Sequence, residues 1–404
     1  MATAWSNMRM KKLAIIGGGP SALMLAAQID TDVYDVTLYE KKKAVGRKFL
    51  VAGEGGLNLT YNAPLKELSS SYVPKEFMTS IISQFTNEDL RSWCEHHGVK
   101  SFVGSSSRVF PDSKLKPIDV LNKMVKSVRA NEVKFALEAE WTGWNDKGEL
   151  SFEGADDAAY DRVVFALGGA SWKVTGSDGL WSKYFEEKGV VLKPFRAANC
   201  AFSVSWNKNF LTTHEGKPLK NVAMIYDKQY SKGELTISKF GLEGNALYAL
   251  SEKIQKTLLS EDSATVYLDL KPTMTVDQIK AKFNSTKLTK TTEILKEVLN
   301  LDRASVGVLK QWTDKETFLN SNSLAAIIKS VPVTVNAADE IDKAISTTGG
   351  IAIEAIDENF QLKKIQNAYA IGEMVDWYAP TGGYLLQACF SMGFVLAEYL
   401  NELA

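Results

Sequence analysis

Gly17-x-Gly19-x-x-Ala22 lies between an apolar run, Leu13-Ala14-Ile15-Ile16, and a second apolar stretch that reaches Ile29. Glycine permits a tight turn and lets a charged group come against the backbone, while a small third residue suits close packing of helix on strand. The unpaired amides and positive dipole end of the helix that follows attract an anion, so the chemistry offered is pyrophosphate binding. Glu40 closes the next strand-like run, Val33 to Tyr39, where a carboxylate can accept the hydroxyls of an adenosine ribose. An acid there disfavours a 2′-phosphate. These residues predict FAD or NAD, not a resident NADP.

The far end of the chain favours FAD. Gly372-Glu373 follows another short apolar run, and Thr381-Gly382-Gly383-Tyr384 opens a long apolar helix. An acid after Gly372 can bond ribityl hydroxyls, and a helix starting near Gly382 can stabilise negative charge on a reduced isoalloxazine. No second GxGxxG follows, so NADH or NADPH is expected only as a transient electron donor. Tyr384 is a candidate proton donor, with an ordered water as the alternative. The three histidines, His96, His97 and His214, lie outside every glycine segment, and no paired spacing points to a metal. Cys94, Cys200 and Cys389 are widely separated; without a CxxC there is no dithiol relay, and Cys389 reads as a packing residue.

Strand, glycine turn, helix and strand form a βαβ unit over the first forty residues, and the chain needs a parallel sheet to position them. Thr86 to Asp89 can cap a helix ending near Gly98, and Ile118 to Arg129 is helical in period. Alternation from Val133 to Phe152 around Asn145-Asp146-Lys147-Gly148 predicts an antiparallel hairpin, with Trp141 and Trp144 packing on it. Arg162 to Phe165 reads as a buried strand that ends at Gly168-Gly169. From about Arg196 the texture changes to short strands and then a Lys/Thr-rich helical stretch. The expected architecture is α/β: a discontinuous Rossmann-like FAD domain over residues 1–195 and 333–404, with an inserted domain over 196–332.

Several longer blocks carry a family resemblance: Gly46-Arg47-Lys48-Phe49 through Gly56-Leu57-Asn58-Leu59-Thr60, Ser106-x-Arg108-Val109-Phe110-Pro111, Ala166 to Trp172, Phe240 to Gly244, and Ala379 to Cys389. In that order they resemble bacterial NAD(P)/FAD-dependent oxidoreductases, the aminoacetone-oxidase-like flavoproteins that include a bile-acid enone reductase. The resemblance implies a two-dinucleotide-binding-type FAD domain with an inserted β-barrel-like and helical domain. It also implies hydride transfer between flavin and a small organic substrate. Carried over, Gly17, Gly19 and Ser21, with Pro20 and Ala22, would line the pyrophosphate. Glu40 and Lys41 would meet the ribose, and Arg47 and Lys48 the phosphate or flavin side. Asn58 and Thr60 would face the flavin, Val133 the adenine. Gly168 would adjoin the cofactor, while Gly372, Glu373, Thr381, Gly382, Gly383 and Tyr384 would close over ribityl and ring. The chain departs from the family pattern at Glu54 and Asn245.

The 404 residues, 45% apolar and 24% charged, are ample for a large core, and 47 basic against 48 acidic residues leave a net charge of -1. That balance disfavours nucleic acid and anionic membranes as partners, and with it a third reading, tRNA modification. No run of 18 apolar residues occurs, and the amino-terminal residues show no signal-peptide pattern, so a cytoplasmic protein is expected. A flavin-bearing binding or redox-sensor protein without turnover is the alternative to an enzyme.

Overall fold

The computed structural model describes residues 10–53, 56–104 and 106–403. The chain forms two compact units, Met1–Arg196 with Ile345–Ala404, and Ala197–Ala344. The first is built on β1 (Lys11–Ile16), α1 (Pro20–Gln28) and β2 (Tyr34–Glu40), the predicted βαβ unit. Across its five-stranded parallel sheet the order is Ala368–Ala370, Arg162–Phe165, β1, β2, Lys134–Leu137. β1 lies in the middle, covered on both faces, which is why it reads as an unbroken apolar run rather than an alternation. Ile16 is level with Tyr39 on one side and Phe165 on the other, so three strands end together at one edge.

α1 packs between this sheet and the C-terminal helix Tyr384–Glu402. Gly393 permits the close approach, because a Cβ there would collide with the carbonyl oxygen of Ser21. The helix Asn87–His96 carries the predicted capping box between Thr86 and Asp89. The residues 133–152 differ from expectation. Lys134–Leu137 joins the parallel sheet beside β2, held also by Lys134 on Asp35 at 2.6 Å. Only Glu140–Trp144 and Leu150–Glu153 form the hairpin, closed by Asn145, whose side-chain oxygen accepts the Lys147 and Glu149 amides.

The second unit has its own core around a six-stranded antiparallel sheet, with the helices of residues 276–329 beside it. Its edges meet: residues 336–339 after the last strand hydrogen-bond back to residues 201–203, giving a barrel-like closure. This places the chain's return later than residue 333. Val331–Val335 pairs along its whole length with Ala264–Leu268, and its buried valines belong to the second core. The first unit resumes at Ile345.

Candidate functional site

β1 delivers Gly17 to the edge of the sheet with a φ of +106°, where a Cβ would collide with the Ala166 carbonyl oxygen; only glycine turns the chain here. Gly18 donates its amide to Glu40 Oε2 at 3.0 Å, and Lys42 donates to Oε1 at 2.8 Å. Gly19 is different, because nothing lies within 4 Å of a Cβ built on it. No side chain caps α1, and Pro20 takes the position that lacks an amide in any case, so the amides of the first turn have no side-chain partner.

One cavity is bordered by Gly17, Gly19, Pro20, Ser21, Glu40 and Lys41, and continues past Arg47, Lys48, Gly168, Gly372 and Glu373. Its charges are distributed by type. Burial pushes the Glu40 carboxyl above its usual pKa, opposed by the two amides and then by the Lys41 and Lys42 ammonium groups. Lys41 is committed to Asp178 at 2.6 Å and Glu140 at 3.6 Å. Lys48 lies between Glu373 and Ser171, at 2.8 Å from each, while Glu373 also accepts the Thr347 amide at 2.9 Å. Arg47 follows the left-handed Gly46, stands exposed at the margin, and has no ion pair or hydrogen bond among the described residues. Gly372, φ +80°, crosses the start of α1 so closely that a Cβ would sit 2.6 Å from Ser21 Oγ.

These features fit a dinucleotide. Open space over Gly19 and uncapped amides suit a pyrophosphate, Arg47 can offset its charge, and Glu40 has lone pairs left for ribose hydroxyls. Glu373, Lys48 and Cys389 border the other end. Burial pushes the Cys389 thiol up to about 12, so it is neutral at ordinary pH.

Other predicted residues lie elsewhere. Ala22 is buried behind the turn. Val133 does not border the cavity: it precedes the parallel strand Lys134–Leu137, whose other end is level with Glu40, so the backbone facing the adenosine end is that of Ala139 and Glu140. Asn58 turns its amide onto the Gly56 carbonyl at 3.0 Å. Glu54 lies outside the described residues. Thr60, Thr381, Gly382, Gly383 and Tyr384 are absent from the cavity lining and gather instead around the start of the C-terminal helix. Thr60, in the short strand Thr60–Tyr61, donates to Gln387 at 2.6 Å, and Gly383 passes so near that a Cβ would strike the Thr60 backbone. Tyr384 stacks on Tyr61 at 4.8 Å, and burial pushes its phenol up to about 12 despite a hydrogen bond with Ser71.

The adenosine end holds residues that sequence reasoning missed: Tyr39, Glu140, Trp141, Asp178, Trp181 and Tyr184. Trp141 does pack on the hairpin, against Trp144 and Phe165, yet it also borders the cavity. The loop Gly176-Ser177-Asp178-Gly179 was the available signal. Among the described residues no group of His, Cys, Asp and Glu could hold a metal ion, and no helix is long and apolar enough to cross a membrane.

A family model described as the HI0933-like protein Rossmann domain matches residues 11–399. The chain belongs to this family. A relative from Clostridium scindens, a 3-dehydro-bile acid delta(4,6)-reductase, is 26% identical over 97% of this chain and 100% of its own length. A ribosomal RNA dihydrouridine synthase from Haemophilus influenzae is 23% identical over 96% of this chain and 98% of its own. The open conformation of a flavocytochrome c3 fumarate reductase shares the fold, with a TM-score of 0.52 and 12% identity over 97% of this chain and 78% of that one. Family, Rossmann-type sheet and dinucleotide cradle make this HI0933-like chain an FAD-dependent oxidoreductase.

Proposed function

We propose that this chain reduces a carbon–carbon double bond conjugated to a carbonyl in a small organic molecule, with NADH or NADPH as transient donor. The observation that carries this reading is one chemistry named in relatives with unlike substrates. A delta(4,6)-reductase of a 3-dehydro bile acid and a dihydrouridine synthase both add two hydrogens across a ring double bond. In uridine, and in a 3-keto ring unsaturated at the next bond, that double bond is conjugated to a carbonyl.

FAD, when bound, would supply the hydride chemistry. The protein's share is binding and electrostatics: Glu40 for the ribose, the α1 amides and Arg47 for the pyrophosphate, and the Lys48–Glu373 pair toward the flavin end. A small-molecule substrate accords with the net charge of -1. The dihydrouridine synthases, 23% and 24% identical, favour a second reading in which the ring is a uracil within RNA. Three free thiols accord with a cytoplasmic setting.

Anaerobic mixing tests the proposal. NADH or NADPH should bleach the visible flavin band, and a cyclic enone should restore it with one equivalent of saturated ketone. Bleaching by neither donor, with no acceptor among cyclic enones or uridine-containing RNA, would turn the reading toward a flavin-bearing sensor.

A further inference from the structure

Outside the cradle, the first unit holds a partly buried arginine, Arg108, with no ion pair among the described residues. Arg108 opens the strand Arg108–Pro111, which pairs antiparallel with Thr60–Tyr61 so that Arg108 is level with Tyr61. Its Nε lies 3.1 Å from where a Cβ on Gly382 would be, so the side chain runs across the turn that begins the C-terminal helix. The Tyr61 and Tyr384 rings are stacked beside it, 23° from parallel. Arg108 is half-buried, and its guanidinium makes no ion pair or hydrogen bond among the described residues.

A guanidinium has five donors in a rigid fork, and withdrawing its charge from water without a partner is costly. Tyr384 precedes Cys389, which borders the cavity, by five residues on one helix, about 7.5 Å along its axis, so the turn that Arg108 crosses begins the helix that reaches the cavity.

We propose that Arg108 receives the carbonyl oxygen of the conjugated substrate, a cyclic enone or a uracil ring, and offsets the negative charge that gathers there during reduction. The inference rests on the double-bond reductase reading. As hydride from the reduced cofactor joins the β-carbon, the double-bond electron pair shifts toward the carbonyl and charge collects on oxygen, where a fixed cation acts most strongly. A proton from water then joins the α-carbon and the carbonyl re-forms. The substrate gains two electrons and two hydrogens, and the cofactor is left oxidised.

The test compares FAD-loaded wild type with Arg108→Met and Arg108→Lys. All three should hold equal flavin, since Arg108 touches none of the cradle. Titrating the oxidised proteins with 4-chlorophenol, an enolate mimic, and following the visible flavin band should give a Kd at least tenfold weaker in R108M and an intermediate value in R108K. Pre-reduced protein is then mixed with 2-cyclohexenone in one arm and a uridine-containing oligonucleotide in the other. Reoxidation should slow at least tenfold in R108M in whichever arm serves the wild type, which also tells the two sources of the carbonyl apart. If R108M binds phenol and is reoxidised as the wild type is, the inference falls and the reductase reading stands. If the wild type accepts neither carbonyl but R108M still loses phenol affinity, the reading falls and the oxyanion site stands. No phenol binding by wild type overturns the inference.

Discussion

Glycines 17 and 19 are two residues apart and fail differently when they gain a side chain. Gly17→Ala must relieve a collision with the Ala166 backbone at a left-handed φ, a strain of about 1–3 kcal/mol, and should lower the thermal midpoint even without cofactor. Gly19→Val places its Cβ where no protein atom lies within 4 Å, so its midpoint should hold while bound FAD is lost, read from the flavin absorbance after gel filtration. Glu40→Ala removes the carboxylate offered to the ribose hydroxyls; loss of even one charge-assisted bond of about 1.5–3 kcal/mol places the expected loss of FAD affinity at tenfold or more, measurable by fluorescence titration. His214, in the second unit, supplies a pH test. Burial, then Arg303, depresses its pKa against the pull of Asp302. The unfolded chain therefore takes up a proton near pH ~6.5 that the folded chain refuses, so stability is present above that pH and lost as pH falls through it. Calorimetry between pH 7.5 and 5.5 should show the midpoint dropping, and His214→Phe should flatten the dependence.

At the scale of elements, the C-terminal helix is tied to the rest of its unit by a buried polar chain. Thr60 donates to Gln387, whose amide donates to the Phe85 carbonyl and to Ser391, each at 3.0 Å. Gln387→Leu would leave the Thr60 hydroxyl and lose one donor to Phe85 in a dry interior, costing about 1–3 kcal/mol, with chemical denaturation as the check. Nothing in the sequence announces this chain of bonds, since a lone Gln in an apolar helix has no period. The βαβ unit, the capping box at Thr86 and the cradle from Gly17 to Glu40 were legible because each is local: a few residues carry both pattern and consequence. Val133 was carried over from the resemblance, but it stands at the far end of its strand from Glu40, and the cavity is bordered instead by Ala139 and Glu140. Trp181 and Tyr184 reach the cavity only through a fold contact between distant segments. The Gly382–Tyr384 turn was recognised, yet its neighbours Tyr61 and Arg108 depend on the pairing of two short strands.

The whole molecule divides its labour along the chain. Every cradle residue belongs to the first unit, and the second has a separate hydrophobic core. Replacing residues 197–344 by a short Gly/Ser linker should leave a protein that folds and turns yellow with FAD, with one calorimetric transition. An unfolded product would show that the cores are not independent. The splice is feasible because Gly349 passes so near Pro194 that a Cβ would strike its carbonyl oxygen, putting the exit and re-entry of the first unit side by side. When two ends of an excursion are neighbours, the entropy of closing it grows only with the logarithm of its length. Lineages can therefore lengthen, trade or redesign the guest segment cheaply while the host keeps its nucleotide, an architecture in which new chemistry is tried without risking the old.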